Sequence, residues 1–166
     1  MATSRGNQLA EVIRQKVADL KEACQGVDEN LAARAPAGRW SPKEILSHLC
    51  GPEGVGHLPL LRSFVDSDTP MIDLETENPF FTETRAAMSF SELVAECETD
   101  YRRVAGFAAE LTGEQLARRA HIPKLKDSPL GEYPTLDRMI LGLGEFHVQF
   151  HIDHLREILA ALSRDE

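Results

Sequence analysis

Three of the chain's six histidines, His147, His151 and His154, fall at i, i+4 and i+7 in a segment whose apolar residues recur with helical period. At about 100° per residue their rings lie within about 60° of one another on a helix. Ile140, Ile158 and Leu162 extend the same stripe, and Glu145, Gln149, Asp153 and Arg156 fall on the opposite side. The imidazoles therefore sit on the face that an amphipathic helix turns toward its core. Burying three such rings is costly unless their nitrogens find partners. A metal ion meets that demand, and so does a network of hydrogen bonds and water. The i, i+4 spacing lets two imidazoles from successive turns converge on one ion, and a ligand from a second element would strengthen the metal reading.

Such an element occurs earlier in the chain. Ser41-Pro42-Lys43-Glu44 has the form of a helix start, with Ser41 as N-cap, Pro42 as first helical residue and Glu44 closing a capping box. The helix runs on through Ile45, Leu46, His48 and Leu49, which places His48 on the inward face with Glu44 one turn behind. Glu44 is open to two readings, as a capping residue or as a partner that orients the His48 ring. Gly51-Pro52-Glu53-Gly54-Val55-Gly56 breaks the helix just after His48 and either makes room for a substrate or marks a kink. Helix resumes through His57, Leu58, Leu61 and Phe64. His57, half a turn off the His48 face, reads as a surface or rim residue.

The other segments are also helical. Leu9, Val12, Ile13, Val17 and Leu20 give a first helix over residues 7–24, and residues 28–34 suit one short turn. Residues 36–40 read as a connector. Residues 66–87 look irregular, with Met71, Phe80 and Phe81 packing a long loop back onto the body as a candidate wall for a substrate. Ser89-Phe90-Ser91-Glu92 opens a third long helix, Thr112-Gly113-Glu114-Gln115 a short one, and Thr135 caps the fourth long helix, which carries the histidines. His121 falls in a polar connector and reads as solvated. No strand pattern competes, so four long helices predict an all-α, four-helix bundle whose metal sites would be built from inward side chains on facing helices.

With 166 residues, 42% of them hydrophobic and 27% charged, the chain suits one domain. A net charge of −9 argues against nucleic acid as a partner. No basic amphipathic segment suits a membrane surface, no apolar run spans a bilayer, and Met1-Ala2-Thr3-Ser4-Arg5 has no apolar signal region, which together predict a soluble, cytoplasmic protein. Cys24, Cys50 and Cys97 form no Cys-x-x-Cys pair and read as reduced core residues.

Trp40-Ser41-Pro42-Lys43-Glu44-Ile45-Leu46-Ser47-His48-Leu49 resembles the second-helix signature of the DinB-like family of damage-inducible proteins, related to the YfiT-like metal-dependent hydrolases. His154-Leu155-Arg156-Glu157-Ile158 resembles that family's last helix, and the order of elements matches over nearly the whole chain. The resemblance implies a single domain over residues 1–166, an up-down-down-up bundle with a long loop between helices 2 and 3, commonly a homodimer. It implies a divalent metal, often nickel or zinc, held by one histidine of the second helix and a His-x-x-x-His pair of the last. Carried over by position, His48 is the first ligand, and His147 and His151 fit the pair by spacing. Alignment on the His-Leu-x-x-Ile ending instead sets the pair at Phe150 and His154, and Phe150 cannot bind a metal. His48 and His151 therefore stand with His147 and His154 competing for the third place. Some members of the family transfer low-molecular-weight thiols such as bacillithiol or mycothiol onto electrophiles in detoxification. The resemblance thus implies a thiol transferase or a hydrolase acting on a small molecule, with a non-enzymatic, stress-linked bundle bearing a degenerate site as the alternative.

Overall fold

The computed structural model describes residues 3–165, and nine α-helices are found among them. Residues 1, 2 and 166 of the predicted domain lie outside that range. The capping signals in the sequence set the helix starts. Thr3 caps α1 (Ser4–Cys24) by accepting from the Gly6 N–H, and Asp28 caps the single turn α2 (Glu29–Ala32). The Ser41–Glu44 box is complete at α3 (Pro42–Cys50), and α4 (Leu58–Asp66) resumes after the break. Thr82 caps a turn the sequence did not signal, α5 (Glu83–Ala87). Capping boxes at Ser89–Glu92 and Thr112–Gln115 open α6 (Phe90–Glu110) and α7 (Gly113–Leu116).

The last long rod is not one regular α-helix. Thr135 caps α8 (Leu136–Gly142), six residues from Leu143 to Val148 take π-helical geometry, and α9 (Gln149–Arg164) follows without interruption. A π segment inside an α-helix is rare and is found mostly at functional sites. This one contains His147 and Gly144, where a side chain would press on Val12 and Ile13 of α1 at 3.1 Å.

Cross-links between the rods give the directions. Thr3 at the start of α1 donates to the carbonyl of Leu111 just beyond α6, so α1 and α6 are antiparallel. Arg5 pairs with Asp137 and Lys16 with Gln149, so α1 runs parallel to α8–α9. Arg39, before α3, pairs with Glu157 near the end of α9, so α3–α4 opposes the last rod. Cys50 donates to Leu93 and the His57 amide to Asp100, which sets α3–α4 parallel to α6. The order is up-down-down-up, as the resemblance implied, and no named strand is found among the described residues. Two isolated bridges join the long loop to the connector that follows α7, through Met71 and His121, and that connector to the N-cap of α8, through Arg119 and Thr135.

The core is aliphatic, with Leu9, Ile13, Ile45, Leu49, Leu93, Val104, Ile152 and Ile158 fully buried. The three cysteines are free. Burial pushes the Cys24 thiol up to about 12, and a hydrogen bond with Cys50, followed by burial, holds Cys97 well above the usual thiol range. They behave as core residues. Two readings need correction: Met71 is 68% exposed and does not pack on the body, and His121 is bonded to Glu132 at 2.8 Å and stacked on Tyr133 rather than merely solvated. No helix among the described residues is long and apolar enough to cross a membrane.

Glycine marks where α1 and α6 approach most closely. A Cβ at Gly6 would lie 2.5 Å from the carbonyl oxygen of Ala108, whereas one at Gly106 meets nothing within 4 Å. Gly6→Ala is expected to lower stability by about 1–3 kcal/mol through overpacking. Gly106→Ala, in an exposed helix interior, should raise it by up to about 1 kcal/mol. Urea midpoints of the two variants check the opposite signs.

Candidate metal centre

His48 comes from the last turn of α3, His147 from the π-helical segment and His151 from the first turn of α9. One ring nitrogen of each lies within 4.8 Å of the others, so the three form a group able to hold a metal ion. His154, the fourth candidate, stands outside that group. Its Nδ1 faces the Nδ1 of His151 at 3.3 Å.

The hydrogen bonds fix the state of His48. Its Nδ1 lies 2.7 Å from the carbonyl oxygen of Asn78, which can only accept, so the proton sits on Nδ1 and Nε2 carries a lone pair. That lone pair faces the Nε2 of His147 at 3.0 Å. If His147 donates there, its Nδ1 is left a buried lone pair; if it carries its proton on Nδ1, two lone pairs face each other. In both cases the Nδ1 of His147 is buried with no hydrogen-bond partner. A third state, with His147 charged, is disfavoured, because burial and then the neighbouring imidazoles hold its pKa well below the usual histidine value. The rings do not satisfy one another. A cation that takes the facing lone pairs removes their repulsion, and three neutral imidazoles are a donor set that suits zinc or nickel. The residues fit the metal.

Burial depresses all four rings. It is the leading cause at His48, at His151, which is lowered to about 3, and at half-exposed His154. Neutral rings are the state a metal requires.

Several residues that the sequence reading did not assign to the site pack around it. Trp40, taken as part of a connector, lies with its ring 5.1 Å from His48 and stacks on His151 at 6.3 Å. Phe80 also stacks on His48, at 6.3 Å. Phe80 has a φ of 50°, a strained conformation for a bulky residue. Its carbonyl accepts from Ser47 and from the guanidinium of Arg85, and its amide donates to the Asn78 side chain. Arg85, 1% exposed, also donates to the carbonyls of Ser47 and Gly51 and pairs with Glu96. The long loop is thereby locked to α3 and delivers the Asn78 carbonyl to His48. Glu44 does not orient His48, since its carboxylate accepts from the Ser41 amide in the capping box. The only early signal for these roles was the apolar Phe80 in a polar loop.

Two openings reach the histidines. A cavity of about 640 Å³ is lined by His48 and His147 together with Leu60, Phe80, Leu143 and Phe146. His57, expected at the surface or rim, forms part of its wall. The His57 ring is held by the Leu49 carbonyl at 2.7 Å, and its amide donates to Asp100. A neighbouring groove of about 450 Å³, which shares Thr76 and Phe150 with the cavity, is lined by His151, His154, Trp40 and Arg39. The break at residues 51–56 borders the cavity through Pro52, Val55 and Gly56, so it does open space beside His48.

Fold and site together describe an up-down-down-up four-helix bundle with a three-histidine group between its second and fourth rods. YfiT from Bacillus subtilis, described as a probable metal-dependent hydrolase with an unusual four-helix bundle topology, has a similar structure, with a TM-score of 0.77 over 98% of this chain and 90% of that one, at 19% identity. An uncharacterized protein from Clostridium difficile 630 is similar with a TM-score of 0.64 over 99% of this chain and 98% of that one, at 14% identity. These likenesses establish the fold. No family model matches the chain, and no curated protein matches it in sequence.

The depressed histidines make a prediction for metal-free protein. Unfolded imidazoles bind protons near pH 6.5, and His151 in the fold does so only near 3. The unfolded state therefore takes up more protons between these values, and the stability present above 6.5 is lost as pH falls through that window. Urea midpoints of chelator-treated protein should fall from pH 7 to pH 4, and His151→Phe should fall less steeply. Parallel decline of the two would refute the attribution to His151.

Proposed function

We propose that this protein is a metal-dependent hydrolase of small molecules, with His48, His147 and His151 as the metal ligands. The observation that carries the reading is the convergence of three desolvated, neutral imidazoles that cannot satisfy one another, two of which, His48 and His147, line a mostly apolar cavity. The likeness to YfiT, described as a probable metal-dependent hydrolase, supports it.

When bound, a divalent metal such as zinc or nickel supplies Lewis acidity, which activates water and polarises the group under attack. The chain's own residues prepare the place. His48 donates a hydrogen bond from its Nδ1–H to the Asn78 carbonyl, so its Nε2 is held as a lone pair directed into the group. Trp40 and Phe80 pack against the His48 ring, which is 3% exposed, and help keep bulk water from it. His154, facing the Nδ1 of His151, acts as a partner that orients the His151 ring rather than as a ligand. His57, held by Leu49 in the cavity wall, shapes the side from which substrate approaches.

Elemental analysis of protein freed of any affinity tag, paired with ester hydrolysis before and after chelation, tests the proposal. About one equivalent of zinc or nickel is expected, with hydrolysis lost on chelation and restored on reloading. His48→Ala should lose the metal at least tenfold in affinity, and His154→Ala should retain a full equivalent. Metal content unchanged in His48→Ala would overturn the ligand assignment. Full metal with no hydrolysis, but with transfer of a thiol to an electrophile, would replace hydrolysis with thiol transfer.

A further inference from the structure

The two openings onto the histidines differ in chemistry, and that difference bears on the substrate. The 640 Å³ cavity is within the size range of small-molecule sites. Its wall is built from the loop between α4 and α5, the 125–130 turn, α4 and the π segment, which contribute Leu60, Leu74, Leu130 and Leu143. Phe146 and Phe150, 61% and 64% exposed, and Val55 at 52% carry this apolar surface to its edge. Three large apolar side chains left open to water around one cavity are the kind of exposed apolar surface that marks a binding site.

The charges in the wall are of one sign. Asp73 and Glu75 line the cavity, and no lysine or arginine is among its lining residues. Lys124 reaches Asp73 at 3.2 Å from outside the cavity, and Glu75 accepts from the Asn78 side-chain amide at 2.6 Å. A carboxylate, sulfonate or phosphate on the body of a ligand would enter this space beside two exposed carboxylates and with no lysine or arginine among the lining residues. Arg39 lines the neighbouring groove with His151 and His154 and is paired with Glu157 at 2.7 Å, and buried Arg85, beside Ser47, is paired with Glu96.

We infer that the cavity takes a small amphiphile with an apolar body and no anionic group on that body, its single polar end directed at His48 and His147. This rests on the reading of the histidines as a metal site only for the direction of the polar end. The preference for an apolar, non-anionic body follows from the wall alone. A thiol bearing several carboxylates does not match this cavity, whereas an uncharged ester or amide with an alkyl or aromatic body does.

Displacement of the neutral fluorophore N-phenyl-1-naphthylamine from the full-length chain tests the inference. Octanol, octylammonium and octanoate serve as competitors, with the protein first treated with chelator so that a metal cannot recruit the carboxylate. The probe should bind, octanol and octylammonium should displace it, and octanoate should compete at least about threefold more weakly than octylammonium, as two nearby exposed carboxylates would impose. The doubly substituted Asp73→Lys, Glu75→Lys protein changes only exposed loop positions and should reverse the preference. Val55→Trp, at the exposed edge, should weaken the probe severalfold. No probe binding, or octanoate competing as well as octylammonium in both proteins, would overturn the inference. Because these measurements need no metal, they can succeed where the metal content fails, and the reverse, so the two claims fall separately.

Discussion

Three neutral imidazoles turned toward one another inside a helical bundle set a demand that the surrounding structure is arranged around. Each ring has two nitrogens, and the protein supplies partners for only part of them: the Asn78 carbonyl accepts from His48 Nδ1–H, His154 faces His151, and the Nδ1 of His147 has none. Desolvation keeps the rings uncharged, so the shortage cannot be relieved by protonation near neutral pH. A buried polar cluster left in that condition destabilises a fold unless it serves a ligand. The proposed metal resolves the conflict with the residues already in place.

The long loop is the element that completes the arrangement. Only the α3 and α9 histidines come from regular helix, whereas the carbonyl that sets the His48 tautomer, and the ring that covers it, come from residues 78–80. The strained backbone of Phe80 persists because Ser47, Arg85 and Asn78 hold it from three directions. Buried Arg85 spans the loop, the end of α3 and Glu96 on α6, so the loop is joined to two rods of the bundle at once. The same segment, through Asp73, Leu74 and Glu75, forms the cavity wall. Metal site and substrate space therefore share one support.

Much of this was legible in the sequence because local chemistry controls it. The Ser41 and Ser89 capping boxes and Thr135 place helix starts whatever the helices pack against. The stripe His147–His151–His154 showed which face would be buried, and the break after His48 marked the opening beside it. What was not legible depends on contacts distant in sequence. The π segment is invisible to a fixed 100° period, and it carries His147, which joins His48 and His151 in one group while His154 meets only His151 of the three. Asn78 acts through a backbone carbonyl that any residue would carry. Trp40 and His57 join the site only when the bundle closes, and Arg85 looks like an ordinary surface charge until its partners are assembled around it.

X-ray absorption at the metal edge of loaded protein would test the central claim most directly, because it counts the imidazoles around the ion. The account predicts a first shell of nitrogen and oxygen with outer-shell scattering from three histidines, reduced to two in His48→Ala and unchanged in His154→Ala. A sulfur shell, or one imidazole or none, would contradict it.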